Sequence, residues 1–452
     1  MKKALRPFQQ AGRDFLAANY HALLADEPGL GKTLQAIAAV EKLRLKKVLV
    51  VCPASVRLGW NQEIEESVDS RTATDWTIIS YNEAAGAAKR LTEYAGPWDA
   101  IILDEAHFLK TPDSQRTRAI FKNDTGLARR AKYKWALTGT PVLNRPRELY
   151  PILKTLAGDK LKPYDNFTAY AYRYCGAYWD GMAINTRGAS RLDELAARLN
   201  GFWLRRTKVD VLPELPRRIL SRIPLLLSAS DLAPVTAAEL GIANRESYLS
   251  LAQEGYAQLG DLATLLRLTG EAKVGKSVDF IDDLVETTFP NKVVVFARHR
   301  NVIAKLAEGL GGFGHGVVTY VGGMNDREKQ AAVDRFVTDP TCTVFIGNIQ
   351  AAGTGINGLQ KVARDAVFAE LSWVPGEIGQ AIDRLHRMGG LGLPVNAYLL
   401  HAPGTLESAV LGVHDGKQAV IDRLLDGASP LVDASLVGSV ADKSYLGEIM
   451  GI

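Results

Sequence analysis

The sequence contains little cysteine and no long apolar run. Its three cysteines, Cys52, Cys175 and Cys342, lie far apart and form no CxxC or Cys/His pattern. This spacing argues against a disulfide framework and a zinc site, and it fits a reducing compartment. No apolar run approaches the roughly 20 residues that a membrane-spanning helix requires, and the segment MKKALRPFQQAGRDF lacks the apolar core of a secretory signal. We therefore expect a cytoplasmic protein with no membrane partner.

A strong charge imbalance is also missing. The chain has 54 basic and 50 acidic residues, a formal charge of +4 and a pI of about 8.7, and at 452 residues it is long enough for two or three domains. The net charge alone identifies no nucleic-acid partner, although cations cluster in 127-LARRAKYK-134 and 205-RRTKVDVLPELPRR-218. Each cluster fits either a solvated helix face or a nucleic-acid contact.

Short β-branched runs alternate with helical patterns in two series. The first comprises 47-KVLVVCP-53, 76-WTIISY-81, 99-DAIILDEA-106 and 134-KWALTGTP-141, and the second comprises 291-NKVVVFAR-298, 316-GVVTYVGG-323, 342-CTVFIGN-348, 365-DAVFAEL-371 and 395-VNAYLLH-401. Continuous apolar strands separated by helices predict parallel sheets covered on both faces. We therefore predict an α/β protein with two lobes. The first would cover residues 1–225 with a helical protrusion at about 150–200, and a helical linker over 226–270 would lead to a second lobe over 271–452 with C-terminal helices.

The stretch 24-LADEPGLGKTLQAI-37 has the composition of a phosphate-binding loop. A Gly-rich turn between a strand and a helix points backbone N–H groups at a phosphate, and the helix N-terminus adds its dipole. Lys32 would reach the β- and γ-phosphates, and the Thr33 hydroxyl would bind Mg²⁺. Asp26 stands where the strict GxxxxGK[ST] pattern has glycine. The predicted ATP-binding loop comprises Asp26, Glu27, Pro28, Gly29, Leu30, Gly31, Lys32 and Thr33.

Two carboxylates follow an apolar run in 101-IILDEAH-107. Alone they would fit a capped helix start, but downstream of a phosphate loop they predict a hydrolytic site at the carboxyl end of a strand. Asp104 would hold Mg²⁺, partly through water, and Glu105 would orient or deprotonate the attacking water.

Positive charge for the opposite side of the nucleotide is available in 380-QAIDRLHRMGG-390. Arg384 and Arg387 are three residues apart, so on a helix they would share a face. Such a helix could simply be a basic surface, but an arginine presented from the other lobe would act as a finger on the γ-phosphate. The predicted catalytic residues are Lys32, Asp104, Glu105, Arg384 and Arg387.

The motifs together resemble the Swi/Snf ATPases of the superfamily 2 translocases. The resemblance rests on LRPFQ, DEPGLGKT, CPASV, SY, DEAH, LTGTP, FWLRRTKVDVLPELP, VVVFARHRNVI, NIQAAGTGI and QAIDRLHRMG, in this order from about residue 5 to 415. The segments 107-HFLKT-111, 173-RYC-175, 296-FARHRNVI-303 and 366-AVFAELSWVPGEIGQAIDRLHR-387 are most similar to the annealing-helicase branch, the HepA-related protein type. The resemblance implies two RecA-like lobes, ATP with Mg²⁺, double-stranded and branched DNA as partner, and a monomer.

The resemblance also assigns roles to individual residues. Gln9 would recognise adenine with help from Arg6, and Gln380 and Gly355 would face the nucleotide. Contacts to DNA, or coupling of DNA to the ATP site, are implied for Ser55, Ser80, His107, Thr138, Thr140, Gly353 and Thr354. Pro28 departs from the family pattern, which has methionine there, and Gly390 replaces a glutamine.

The aromatic tract 164-YDNFTAYAYRYCGAYW-179 has two interpretations. Its rings could stack on bases exposed at a DNA junction, or they could pack the helical protrusion. The near-helical alternation of Tyr and Ala favours packing, and we expect Trp373 to be a packing residue too.

The motifs and the resemblance together predict an ATP-dependent translocase on double-stranded DNA that remodels branched DNA by fork reversal, branch migration or strand annealing. One alternative is ATP-driven displacement of a protein, such as RNA polymerase, from nucleic acid. A second alternative is an ATP-gated DNA clamp without significant turnover.

Overall fold

The computed structural model describes residues 1–69, 74–86, 97–122, 125–142, 145–240, 260–352 and 356–425. The described residues form two compact units, which divide after Leu215, and the end of the last described helix, from Val420, belongs to the first unit. The division follows Leu215, ten residues before the predicted boundary at 225. Within the described part of the chain, every helix is too short or too polar to span a bilayer.

The first unit is built on a six-stranded parallel sheet. Its strands in chain order are β1 (His21–Leu24), β2 (Lys47–Cys52), β3 (Asp75–Ser80), β4 (Trp98–Asp104), β5 (Ala131–Leu137) and, after a separate hairpin of β6 (Tyr178–Trp179) and β7 (Ile184–Asn185), β8 (Trp203–Leu204). The order across the sheet is β3-β2-β4-β5-β1-β8. Because all strands run the same way, their carboxyl ends meet at one edge.

Helices cover both faces of this sheet. They are α1 (Pro7–Ala18), α2 (Lys32–Leu43), α3 (Arg57–Ser67), α4 (Gln115–Phe121), α5 (Tyr150–Leu156), α6 (Phe167–Tyr174), α7 (Leu192–Arg198) and α8 (Lys208–Val211). Alternate residues of a strand enter different cores: Val48 and Val50 pack with Leu16 and Ile37, whereas Leu49 packs on the opposite face. The continuous apolar runs therefore result from burial on both faces.

The second unit repeats the architecture. Its strands are β9 (Arg218–Pro224), β10 (Val293–Ala297), β11 (Gly316–Tyr320), β12 (Cys342–Asn348), β13 (Asp365–Phe368) and β14 (Val395–His401), paired in parallel in the order β11-β12-β10-β13-β14-β9. Its helices are α9 (Ala229–Leu240), α10 (Gly260–Ala272), α11 (Val274–Thr287), α12 (Arg300–Gly312), α13 (Asp326–Thr338), α14 (Ile349–Ala352), α15 (Pro375–Ile382) and α16 (Leu406–Leu425). Two parallel sheets flanked by helices confirm the predicted fold class.

Strand β9 explains why the two units divide after Leu215 and not at the predicted boundary, residue 225. It pairs with β14 along its full length, from Arg218 opposite Val395 to Pro224 opposite His401. As an edge strand it is only half-buried and contains arginine and serine, so it lacks the apolar run that marks the central strands. Residues 218–224 therefore lack the apolar pattern from which a strand would be predicted.

The aromatic tract divides between two environments. Tyr170 and Tyr174 lie on the buried face of α6, and their ring centroids are 5.2 Å apart. Tyr178 and Trp179 are exposed on the β6–β7 hairpin. The packing interpretation is confirmed for the first pair and for Trp373, which is buried in the second unit, but it is wrong for the hairpin residues, because the tract leaves the helix before reaching them.

A buried ion pair joins the N-cap residue of α11, Lys273, to α16 inside the second unit. The Lys273 Nζ donates to Glu407 Oε1 at 2.7 Å and to the Leu400 carbonyl at 2.8 Å, and the Ala402 N–H donates to Glu407 Oε2 at 2.9 Å. Burial raises the pKa of Glu407, and the Lys273 ammonium opposes this shift. Each charge is compensated only while the other is present.

We expect Lys273→Met to destabilise the second unit by about 3–5 kcal/mol, because Glu407 would lose its buried cation. Lys305→Met is the matched control: Lys305 pairs with Glu271 at 2.7 Å but is half-exposed, so its loss should cost less than about 1 kcal/mol. Urea-induced unfolding of both variants measures the difference. Equal, small effects would mean that the buried pair contributes no more than a surface pair.

Candidate active site

The phosphate loop connects β1 to α2, as the sequence pattern predicts. Gly29 and Gly31 have φ of +91° and +75°, a region that glycine enters without steric cost. A Cβ on Gly31 would also lie 2.5 Å from Gln9 Nε2. The Lys32 Nζ donates to the carbonyls of Asp26 at 2.7 Å and Glu27 at 3.2 Å. The lysine therefore lies over the inside of the loop, and Thr33 follows it as the second residue of α2.

The Asp26 side chain supports the loop from behind. It is fully buried, and the Arg206 guanidinium binds both of its oxygens, Nε to Oδ1 at 2.9 Å and Nη2 to Oδ2. The Gln35 Nε2 donates to Asp26 Oδ2 at 3.2 Å and to the Leu30 carbonyl at 3.0 Å. Arg206 also donates to the Phe8 carbonyl. The carboxylate thus belongs to a network that ties the loop to α1, α2 and the segment after β8.

The remaining loop residues contact other motifs of the first unit. The buried Gln9 donates to the Leu30 carbonyl at 3.4 Å, and its Oε1 accepts from the Arg6 N–H at 3.1 Å. A Cβ on Gly139 would lie 2.5 Å from Pro28 Cγ. The LTGTP turn therefore packs directly on the phosphate loop at Pro28, which requires glycine at position 139.

Asp104 is the last residue of β4 and is held by three donors. The Trp60 Nε1 donates to its Oδ2 at 2.7 Å, the Glu105 N–H donates to Oδ1 at 3.0 Å, and the Tyr81 hydroxyl donates to its carbonyl at 2.8 Å. Burial, followed by the charge of Glu105, raises the pKa of Asp104 to about 6, while the Trp60 hydrogen bond and the Lys32 charge oppose the rise.

Glu105 has an unusual backbone conformation at the end of the strand. Its φ and ψ are 47° and 52°, in the left-handed region, which costs a non-glycine residue on the order of 1–3 kcal/mol. His107 is buried beside it, with Nδ1 3.3 Å from Glu105 Oε2 and 3.0 Å from Thr138 Oγ1. Thr138 Oγ1 also accepts from the Thr140 N–H at 3.2 Å. These contacts connect the DEAH carboxylate to the LTGTP turn.

The predicted serines lie at the same edge of the sheet. Ser80 ends β3, where its Oγ accepts from the Glu83 N–H at 3.1 Å and its own N–H donates to Glu83 Oε2 at 2.6 Å. Ser55 lies in the short turn between β2 and α3 and is partly exposed. The first unit therefore brings its predicted ATP and coupling residues together at the carboxyl ends of five strands.

In the second unit, the expectation that Arg384 and Arg387 share a helix is wrong. Helix α15 ends at Ile382, and the chain continues in turns in which the Arg387 N–H donates to the Leu385 carbonyl at 3.1 Å. Leu385 is buried, and His386 lies with Nε2 2.8 Å from the Pro216 carbonyl. The His386 N–H still donates to the Ile382 carbonyl at 3.0 Å, so regular helical bonding ends just before Arg387.

Arg387 nevertheless keeps a defined position. Its Nη1 donates to Asn357 Oδ1 at 2.7 Å. Burial and the charge of Arg384 lower the pKa of Arg387 to about 10, so it remains a cation at neutral pH. Gln380 is buried within α15, and Gly353, Thr354 and Gly355 lie outside the described residues.

The donor set of the first unit fits Mg²⁺. A carboxylate and a hydroxyl, from Asp104 and Thr33, are the oxygen ligands that Mg²⁺ takes when phosphates and waters complete its coordination. Among the described residues no group of three or more His, Cys, Asp or Glu side chains could hold a metal alone. A magnesium ion that is bound together with a nucleotide needs no such group.

Sequence reasoning missed three residues of this site. Trp60, Gln35 and Arg206 reach it from separate helices and loops. Gln35 lies in the quoted phosphate-loop stretch and Arg206 in the motif FWLRRTKVDVLPELP, but neither residue was assigned a role there. Trp60 follows CPASV by a few residues, but nothing in the sequence links it to Asp104.

Comparison with known families agrees with this geometry. The model of the SNF2-related domain matches residues 8–74 and 66–233, and that of the helicase conserved C-terminal domain matches residues 276–389. The chain belongs to the SNF2-related ATPase family. This confirms the resemblance to the Swi/Snf ATPases and the expected class of enzyme.

Named relatives of this SNF2-related ATPase include two longer proteins. The DNA annealing helicase and endonuclease ZRANB3 of Homo sapiens is 31% identical over 468 residues, which cover 96% of this chain and 41% of that protein. The SWI/SNF-related matrix-associated actin-dependent regulator of chromatin subfamily A-like protein 1 of Xenopus tropicalis is 32% identical over 424 residues, covering 89% and 43%. The chain thus spans about two fifths of the length of these curated relatives.

Two solved structures also align with the SNF2-related ATPase, each at 22% sequence identity. The Sulfolobus solfataricus SWI2/SNF2 ATPase core in complex with double-stranded DNA covers 96% of this chain and 97% of its own, with a TM-score of 0.42. The core domain of the same source covers 94% and 91%, with a TM-score of 0.41.

We expect Trp60→Phe to raise the Mg²⁺ concentration required for nucleotide binding and hydrolysis by about ten-fold or more, because Asp104 would lose the donor that orients it. Trp135→Phe is the control, since Trp135 is buried in the same core but donates to the Asn19 carbonyl at 3.0 Å. Titration of Mg²⁺ against fluorescent-nucleotide binding measures both variants. A similar Mg²⁺ requirement in the two would show that the Trp60 hydrogen bond only stabilises the fold.

Proposed function

We propose that this SNF2-related ATPase is an ATP-driven translocase on double-stranded DNA that remodels branched DNA. The observation that carries the proposal is the contact chain from Glu105 through His107 to Thr138, which connects the hydrolytic carboxylate to the LTGTP turn. The name of one relative, a DNA annealing helicase and endonuclease, supports an activity that re-pairs DNA strands.

Each proposed site residue of the first unit has a definite role in this proposal. Lys32 binds the β- and γ-phosphates, and the loop N–H groups around Gly31 hold them in place. Thr33 and Asp104 would hold Mg²⁺, Asp104 partly through water, and the ion would supply positive charge beside the transferring phosphoryl group. Glu105 orients the attacking water and accepts its proton. The hydrogen bond from Trp60 fixes the carboxylate of Asp104 in the direction of the loop.

DNA would be contacted through its phosphates. Ser55 and Thr140 carry partly exposed hydroxyl groups at the carboxyl edge of the first sheet, and small hydroxyls and backbone N–H groups are suited to phosphate oxygens. Ser80 and Thr138 are buried at the same edge, so they would couple these contacts to the ATP site. Such contacts carry no base information, so binding would be largely independent of sequence and sensitive to salt. A shift of Thr138 on DNA binding would be felt by His107, and through it by Glu105. This route would make hydrolysis depend on DNA.

The second unit would supply Arg387 to the γ-phosphate. We expect Arg387→Ala to leave ATP and DNA binding nearly intact while lowering DNA-stimulated hydrolysis by about 10³-fold or more, the effect of losing a finger in other phosphoryl-transfer enzymes. Arg335→Ala, which removes a half-exposed arginine that pairs with Asp339, is the control. Steady-state ATPase assays with and without duplex DNA measure the effect. Normal turnover by Arg387→Ala would assign the role to Arg384 instead.

Activity on branched DNA is measured with labelled synthetic forks, four-way junctions and a tailed duplex. We expect ATP-dependent conversion of forks to four-way junctions and movement of existing junctions, with little unwinding of a long tailed duplex. Re-pairing at a branch exchanges base pairs for base pairs at a small net cost, whereas strand separation must offset about 1.4 kcal/mol of stacking at each step. Glu105→Gln, which binds ATP but cannot hydrolyse it, is the control.

The same assays discriminate the rival functions. Efficient unwinding of the tailed duplex without junction activity would indicate a conventional helicase. DNA binding that is gated by ATP without turnover in the wild type would indicate a clamp. ATPase activity with removal of a bound protein, but no change in DNA structure, would favour a protein-displacing motor.

A further inference from the structure

The β6–β7 hairpin presents a group of apolar side chains to solvent. The exposed fractions are 54% for Tyr178, 62% for Trp179, 91% for Met182 and 39% for Ile184. Tyr178 pairs with Asn185, and Trp179 pairs with Ile184. Since side chains alternate along a strand, the indole of Trp179 and the side chain of Ile184 share one face of the hairpin, and the Tyr178 ring lies on the other.

The hairpin is held in a defined shape. Asp180 Oδ1 accepts from the N–H groups of Met182 at 3.0 Å and Ala183 at 2.8 Å, and Gly181 has the φ of +98° that this turn requires. The Asn185 Nδ2 donates to the Tyr178 hydroxyl across the strands at 3.1 Å. An ordered turn therefore presents the exposed rings. Exposing their apolar surface to water is unfavourable in free energy, and no contact within the hairpin offsets it.

The base of the hairpin is positively charged and tied to the segment after LTGTP. The Arg147 Nη1 donates to Thr186 Oγ1 at 2.9 Å, and Arg147 follows Thr140 closely in the chain. Residues 176–191 contain Arg187 and Arg191 against the single acid Asp180. The hairpin is thus anchored to the chain segment that leads from the proposed DNA-contacting threonines.

The geometry points to a stacking site on the β6–β7 hairpin for unpaired bases at the branch point of DNA. Trp179, with Tyr178 on the other face, offers planar rings to bases, and the arginines at the base of the hairpin suit the adjoining phosphates. A stable protein interface takes about 20–30 residues on each side, which four side chains on a short hairpin do not provide. The inference rests on the proposed function, since it assumes that the substrate is branched DNA.

The experiment compares Trp179→Ala and the double substitution Tyr178→Ala with Trp179→Ala against Trp179→Phe, which keeps a ring. Tyr172→Ala is the matched control, because Tyr172 is equally exposed but lies on α6, outside the hairpin. Two quantities are measured: the ratio of affinity for a four-way junction or gapped fork to affinity for plain duplex, and the fluorescence of a 2-aminopurine placed at the branch point. Thermal melting confirms that each variant is folded.

We expect the alanine variants to lose about ten-fold or more of the junction-to-duplex affinity ratio, as loss of a stacked base would give. Quenching of 2-aminopurine by the wild type should disappear in them and persist in Trp179→Phe and Tyr172→Ala. An unchanged ratio and unchanged quenching in the double variant would overturn the inference and leave the exposed rings to a protein partner. Stimulation of the wild-type ATPase by plain duplex tests the proposed function separately, because it does not involve unpaired bases.

Discussion

A fully buried carboxylate, Asp26, holds the phosphate loop in its shape. The loop must turn sharply between β1 and α2, and it contains two glycines that would leave it flexible on their own. Arg206 and Gln35 bind the Asp26 carboxylate, and the same two side chains reach the Phe8 and Leu30 carbonyls. One ion pair therefore fixes the loop relative to α1 and α2. Removing one member of such a buried pair costs about 3–5 kcal/mol, so the geometry of the nucleotide site depends on it.

The Asp26 network supports the loop from one side. The other side is left to Lys32 and the carboxylates of Asp104 and Glu105. Lys32 lowers the pKa of Asp104, against the stronger effect of burial, so the two side chains are close enough to interact. The left-handed backbone at Glu105 re-aims the chain after β4, so that the next residues lead His107 towards Thr138. Local backbone strain of this kind persists where the surroundings fix it. Here the Tyr81 hydroxyl bonded to the Asp104 carbonyl provides part of that restraint.

Sequence predicted the contiguous parts of the fold and the site, and it missed the parts that meet only in space. Strand β12 coincides with its predicted run because both of its faces are largely buried, and β14 coincides too, although Asn396 and Tyr398 are only half-buried. The edge strand β9 escaped detection because half-burial permits arginine in it. Within the site, Lys32 and Asp104 were predictable since their chemistry depends on near neighbours in the chain. Trp60 reaches Asp104 from another helix, and no local pattern records that contact.

Arg206 and Arg387 show why the role of an arginine can be assigned only when its partners are known. Arg206 and Arg387 both stand in basic motifs, RRT and RLHR. The sequence predicted a catalytic role for Arg387, and for the cluster that contains Arg206 it left a solvated face or a nucleic-acid contact open. Arg206 is bound through two hydrogen bonds to a buried carboxylate, so exchanging that partner for a phosphate would strand the Asp26 charge. Arg387 instead bonds to the neutral amide of Asn357, in surroundings that lower its pKa to about 10. An anion that binds beside Arg387 would favour its charged form and raise its pKa again. No buried carboxylate would lose its partner in the process. The same residue type therefore binds a buried carboxylate at position 206 and a neutral amide at position 387, a difference in partner that the two basic motifs do not reveal.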